Sequence, residues 1–191
     1  MGDGRVTRAS DPDRRERIIA AARELIAAEG VDGVSHRKVA ALAKVPLGSM
    51  TYHFTGRDEL IFEVFTRFAQ EMSDRFQAAL SAAVSREEAV GIVANLINND
   101  VLTDPDELVL THELYALAAR DPKYREVTHA WMSRSRAAFE RHFDPLTARL
   151  IDALVEGLSI HRALDVDPEL AGLSSEERRG LATEALRRLV G

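Results

Sequence analysis

Residues 35–54 read SHRKVAALAKVPLGSMTYHF. Ser35 stands where a helix N-cap belongs, its hydroxyl able to accept a backbone N–H of the following turn. Val39, Ala40 and Ala43 then fall on one small apolar face, and small residues let a second helix cross closely. Lys44, Val45 and Pro46 form a turn, with Val45 pointing inward between the two helices and Pro46 suiting the entry to the next. Two short helices, over 36–43 and 47–53, joined by a tight turn and a small-residue contact, describe a helix-turn-helix.

The second of these helices carries Leu47, Gly48, Ser49, Thr51, Tyr52 and His53. Their chemistry fits the reading of a duplex groove. Ser49 and Thr51 can bond base edges or phosphates, and Leu47 can meet a thymine methyl. Tyr52 and His53 can donate to phosphate oxygens. Gly48 lets the DNA backbone approach. His36 belongs to the same surface at the start of the first helix. Arg37, Lys38, Lys44 and Arg57 supply the positive charge that releases counterions. Phe54 is expected in the core.

Outward from this stretch the pattern is helical almost throughout. Residues 12–29 place Ile18, Ala22, Leu25 and Ile26 on one face, and Gly30 supplies a stop. A long helix is expected over 57–82, striped by Ile61, Phe65, Phe68, Met72, Phe76 and Leu80, with Thr55 and Asp58 as a capping pair. Another covers 86–100, with Val90, Val93 and Ile97 on one face. Three Asp-Pro pairs, at 104–105, 121–122 and 144–145, then open helices reaching about 120, 142 and 164. Residues 165–173 read as a loop, and Ser174 with Glu177 caps a last helix over 175–190. The expectation is an all-α chain of about nine helices. Residues 1–11 form a flexible arm, 12–57 a helix-turn-helix domain and 58–191 a second helical domain.

The net charge of −6 argues by itself against a nucleic-acid partner, but the charge is unevenly spread. Residues 1–57 hold ten Lys and Arg against seven Asp and Glu, and the rest of the chain holds fifteen against twenty-four. One end is suited to a polyanion and the other is not. There is no cysteine, which excludes disulfides, cysteine zinc sites and thiol catalysis. No apolar run approaches the ~18 residues of a membrane span, and the N-terminus has no signal-peptide character. A cytoplasmic protein with no membrane partner is expected.

The stretch from about 14 to 65 resembles the DNA-binding domain of the TetR repressor family. The resemblance rests on the N-terminal helix, the Ser35-x-Arg37-x-Val39-Ala40 run, Val45 and Gly48, the Tyr-His-Phe ending at 52–54, and Arg57-Asp58-Glu59-Leu60. It implies that Ser35, Arg37, Tyr52, His53 and Arg57 lie at a DNA surface. It also implies a double-stranded operator as partner and regulation of transcription by a homodimer. Two residues depart from the family pattern. Lys44 stands where glycine is usual in the turn, and Thr51 stands where a tyrosine usually precedes the histidine by two, with Tyr52 adjacent. Beyond residue 65 the chain matches the family only in length and helix count.

The family uses its C-terminal helices for a ligand pocket and a dimer interface. Polar residues within the apolar stretches of the second domain, Asn95, His112, Tyr115, His129 and Trp131, are candidates to line a pocket for a small organic effector. Leu154, Gly157, Leu158, Ala182, Leu186 and Leu189, on the last two helices, are candidates for a two-fold interface.

Signs of catalysis are lacking. No two of the six histidines stand four apart, His112-Glu113 has no second histidine, and Gly157-Leu158-Ser159 is not a nucleophile elbow. No metal or cofactor is expected. The resemblance implies a repressor released from its operator by a small-molecule effector; the alternatives are an activator or ligand-independent DNA-binding regulator and, further off, a helical scaffold whose positive patch serves a protein partner.

Overall fold

The structure, a computed structural model, describes residues 13–100, 104–164 and 172–191. The expected arm at 1–11 and most of the expected loop at 165–173 lie outside the described residues. Nine α-helices and no strand occur among those described: α1 Arg14–Glu29, α2 His36–Leu42, α3 Gly48–His53, α4 Arg57–Ser81, α5 Arg86–Asn95, α6 Pro105–Arg120, α7 Pro122–Phe139, α8 Pro145–Ala163 and α9 Ser175–Val190. They fall into two compact units divided between Val64 and Phe65.

In the first unit α1 buries Ile18, Ile19, Ala21, Ala22 and Ile26. It ends at Gly30, whose φ of 72° is open to glycine and whose N–H bonds Ile26 O. A single 3-10 turn, Val31–Gly33, leads to Val34 and Ser35. The core is completed by Val39, Ala40, Met50, Phe54, Leu60 and Ile61. Arg15 ties α1 to α4 through Glu63 at 3.0 Å and lies over the Phe54 ring.

The second unit is built on aromatic stacking and well-capped helices. Phe65 meets Tyr124 edge-on at 6.0 Å, Phe68 meets Trp131 at 5.8 Å and Phe76 meets Phe139 at 5.1 Å. Such pairs contribute roughly 0.5–1.5 kcal/mol each beyond the area they bury. Asp104, Asp121 and Asp144 each accept backbone N–H bonds ahead of a first-turn proline, as the three Asp-Pro pairs predict. Ser174 and Glu177 close a reciprocal capping box on α9.

Some local readings change. The helix expected over 86–100 keeps α-geometry only to Asn95, then widens into a π-turn, Leu96–Asp100. The expected capping pair at the start of α4 uses Glu59 rather than Asp58. The Glu59 carboxylate accepts both the N–H and the hydroxyl of Thr55 at 2.6 Å. Because α4 starts only at Arg57, the residue within reach of Thr55 is one position later than a standard box requires.

Candidate nucleic-acid interface and effector region

The turn between α2 and α3 is a Schellman motif. Val45 N–H bonds Ala40 O at 2.9 Å and Lys44 N–H bonds Ala41 O at 3.2 Å, which satisfies carbonyls left open at the end of α2. The motif needs a left-handed residue at Lys44, and Lys44 has φ 55°, the one positive-φ residue other than glycine among those described. Val45 turns inward and is buried with Ala43, fixing how α3 crosses α2. At the other end of α2 the Ser35 hydroxyl accepts the Lys38 N–H at 3.3 Å.

This geometry sorts the side chains of the motif. Tyr52 is 80% exposed and Leu47 56% exposed, although both are large and partly apolar. Ser35, Arg37, Lys44, Gly48 and Thr51 are exposed on the same two helices and their turn. A Cβ added at Gly48 would meet nothing within 4 Å, so the surface there is open. The Thr51 hydroxyl donates back to Gly48 O, and the Tyr52 and His53 rings meet edge-on at 4.8 Å. Lys38 is paired with Glu29.

Three expected surface residues sit differently. Ser49 is 7% exposed, beside buried Met50 on the inner face of α3, and cannot reach a groove. His36 is half-buried, with its Nε2 sealed from solvent and without a hydrogen-bond partner. Arg57 is half-buried and aims its guanidinium at the protein's own backbone, its Nε donating to Val34 O at 2.9 Å and its Nη2 to Val31 O at 2.5 Å. All three lie beside the core of a small unit, and Arg57 finds its partners within the chain.

In the second unit the expected pocket residues separate. Tyr115 and Trp131 come together, their rings 6.1 Å apart, and both are half-buried. The Tyr115 hydroxyl donates to Glu156 Oε1 at 2.6 Å, and one helical turn earlier Asp152 faces Arg136 at 3.4 Å. Burial pushes the Glu156 carboxyl above its usual range, and the Asp152 charge adds to this while the Tyr115 bond opposes it. Burial also raises Asp152, against the pull of Arg136, and raises the Tyr115 phenol strongly, aided by the Glu156 charge. Asp152 and Glu156 were not among the expected pocket residues. His112 is half-buried on α6. His129 is exposed, where α7 turns from its buried face at Val127 and Thr128 to solvent at His129 and Ala130. Asn95 is exposed and lines a separate open groove of about 480 Å3 between the end of α4 and α5, with Ala79, Ala82, Glu88, Gly91, Ile92 and Leu96.

The candidate dimer residues divide as well. Leu154, Gly157, Leu158 and Leu189 are half-exposed on α8 and α9. Ala182 and Leu186 are buried, Leu186 completely, because α9 packs that face on α5 and α8 of its own chain. They are not available to a second copy. Leu146, Leu150 and Leu181 are large, apolar and exposed on the same two helices.

Two short helices joined by a tight turn, with an exposed outer face and a second helical unit after them, have the architecture of a helix-turn-helix protein. Residues 18–64 match the bacterial regulatory proteins of the tetR family, and residues 84–191 match the tetracyclin repressor-like C-terminal domain. The chain belongs to the TetR family of transcriptional regulators. It is 50% identical to the transcriptional regulator SCO7518 of Streptomyces coelicolor A3(2), over 94% of this chain and 99% of that one, with a TM-score of 0.79. The TetR-family member SCO1917 of the same organism is 36% identical, over 94% and 99%, with a TM-score of 0.77. The multidrug binding protein EbrR, complexed with ethidium, is 34% identical, over 95% and 100%, with a TM-score of 0.73. Among the described residues no helix is long and apolar enough to cross a membrane.

Proposed function

We propose that the protein is a homodimeric repressor that binds a double-stranded operator through α2 and α3 and is released by a small organic effector held in its second unit. The observation that carries the DNA reading is the exposure of Tyr52 and Leu47 beside Arg37, Lys44 and Thr51. Together they place an aromatic hydroxyl, an apolar side chain, a hydroxyl and two cations on one solvent-facing surface, the mix that phosphate and base-edge contacts use. In this reading Leu47 and Thr51 meet base edges, Tyr52 and Arg37 hold phosphates, and two copies of α3 enter successive major grooves roughly 34–36 Å apart. The exposed leucines of α8 and α9, with Leu154, Gly157, Leu158 and Leu189, form the two-fold contact.

The effector region is the cluster of Trp131, Tyr115, Glu156 and Asp152. Rings beside carboxylates in a partly dehydrated setting suit a flat organic cation, whose charge the rings and acids both attract. The relative EbrR has been solved with ethidium, proflavin and malachite green, which supports this class of ligand here. Release requires that the effector favour a conformation with weaker operator affinity, a coupling of typically ~1–3 kcal/mol.

Two titrations test the proposal. A labelled duplex selected by the protein from a random pool binds tightly and with strong salt dependence. Malachite green quenches Trp131, the only tryptophan of the chain, and displaces the duplex. Duplex binding unaffected by saturating dye, with Trp131 quenched, rejects effector release. No salt-dependent duplex binding rejects the regulator reading.

A further inference from the structure

Arg57 is the first residue of α4, and its side chain reaches back to residues 23 and 26 positions earlier. Its guanidinium bridges Val31 O and Val34 O, the two ends of the turn that delivers the chain to α2. Val34 O belongs to the peptide that joins Val34 to Ser35, the N-cap of α2. Val31 O also accepts the Val34 N–H, so the guanidinium closes a turn that the backbone has already begun. The nearest carboxylates, Asp32 and Asp58, stand at 3.8 and 3.9 Å, and Asp32 is fully exposed. The hydrogen bonds to carbonyls therefore fix the side chain, and the ion pairs do not. Planarity matters here: Nε and Nη2, two nitrogens held at fixed separation in one rigid fork, each serve one carbonyl, whereas an ammonium presents its donors from a single nitrogen on a flexible stem.

We propose that Arg57 is a positioning residue for operator recognition: it sets the angle at which α2, and α3 behind it, leaves α4, and it is not a phosphate contact. This inference rests on the DNA-binding reading. Other contacts hold the helix-turn-helix to α1, through Lys38 with Glu29, and α1 to α4, through Arg15 with Glu63. Arg57 alone among these holds the peptide at the entry to α2. A shift of α4's first turn thus carries the entry of α2 with it.

The test compares Arg57→Lys and Arg57→Gln with the wild type and with Arg37→Ala, on the selected duplex at several salt concentrations. Lysine keeps the charge and loses the fork. Both Arg57 variants are expected to weaken binding by about tenfold or more, as the loss of a charged two-carbonyl bridge implies. Their salt slopes are expected to equal the wild type's, while Arg37→Ala lowers the slope by about 0.9 for each phosphate released. Failure of lysine to rescue, at constant slope, supports positioning. A wild-type-like Arg57→Lys together with a reduced slope in Arg57→Gln assigns Arg57 to phosphate and overturns the proposal. Wild-type affinity in both, with only the thermal midpoint lowered, reduces Arg57 to a structural residue and overturns it too. A wild type without salt-dependent binding overturns the regulator reading itself, and this inference with it.

Discussion

Lys44→Gly should move stability and DNA affinity in opposite directions. Lys44 holds φ 55° because the turn after α2 requires a left-handed residue there. A side chain in that conformation costs roughly 1–2 kcal/mol. Glycine removes that cost but adds freedom to the unfolded chain, worth about 0.4–1 kcal/mol the other way. The balance is a gain of about 0–1.6 kcal/mol, centred on ~0.8 kcal/mol, for the unit that ends at Val64. The same change deletes an exposed ammonium beside the N-terminus of α3. If that charge sits on a phosphate, the slope of log K against log salt falls by about 0.9 per protomer. Urea unfolding should be followed by far-ultraviolet circular dichroism, since Trp131 reports on the second unit alone. A destabilised variant refutes the strain argument. A variant with unchanged salt slope refutes the phosphate contact.

Other perturbations probe the second unit. Phe139→Ala empties a fully buried site stacked on Phe76 and should lower unfolding stability by about 3–5 kcal/mol in a denaturant titration. Leu181→Glu, on exposed surface, should turn a dimer into a folded monomer by light scattering, whereas Leu186→Ala, in the chain's own core, should instead lower the unfolding midpoint. Glu156 carries a pKa raised by burial, so its contribution to stability is present below the ordinary carboxylate range and is lost as pH rises through the raised value. Glu156→Gln removes that loss. Its unfolding stability relative to wild type should therefore increase from pH 4 upward and then level off, and a difference constant with pH would contradict the burial argument.

Much of the fold is legible because the signals are local. The Asp-Pro pairs name the starts of α6, α7 and α8, and the apolar stripe of α4 is buried as its spacing implies, from Ile61 to Leu80. The turn at Lys44 is legible too, since Ala40, Ala43 and Val45 have to be small or inward for α2 and α3 to cross. What escapes the sequence depends on packing between elements distant in the chain. Asp152 and Glu156, one turn apart on α8, look like a solvated acidic face until α6 and α7 bring Tyr115 and Arg136 over them. Leu186 and Leu189 look equivalent on α9, and only the packing of that helix on α5 and α8 separates the buried first from the half-exposed second. Arg57 reads as a DNA-facing cation because its partners are backbone carbonyls, which no residue pattern announces. Ser49 fails similarly: a six-residue helix has few positions, and the inner face takes its share of polar ones.

The central claim is that the exposed face of α2 and α3 binds duplex DNA, and fluorescence anisotropy of the selected duplex tests it most directly. Wild type and an Arg37→Ala/Tyr52→Ala double variant are titrated side by side, with circular dichroism confirming that both are folded. The expected result is tight, salt-dependent binding by the wild type and a loss of about a hundredfold in the variant, two contacts at roughly 1–2 kcal/mol each. Equal binding by the two proteins would contradict the assignment of this surface.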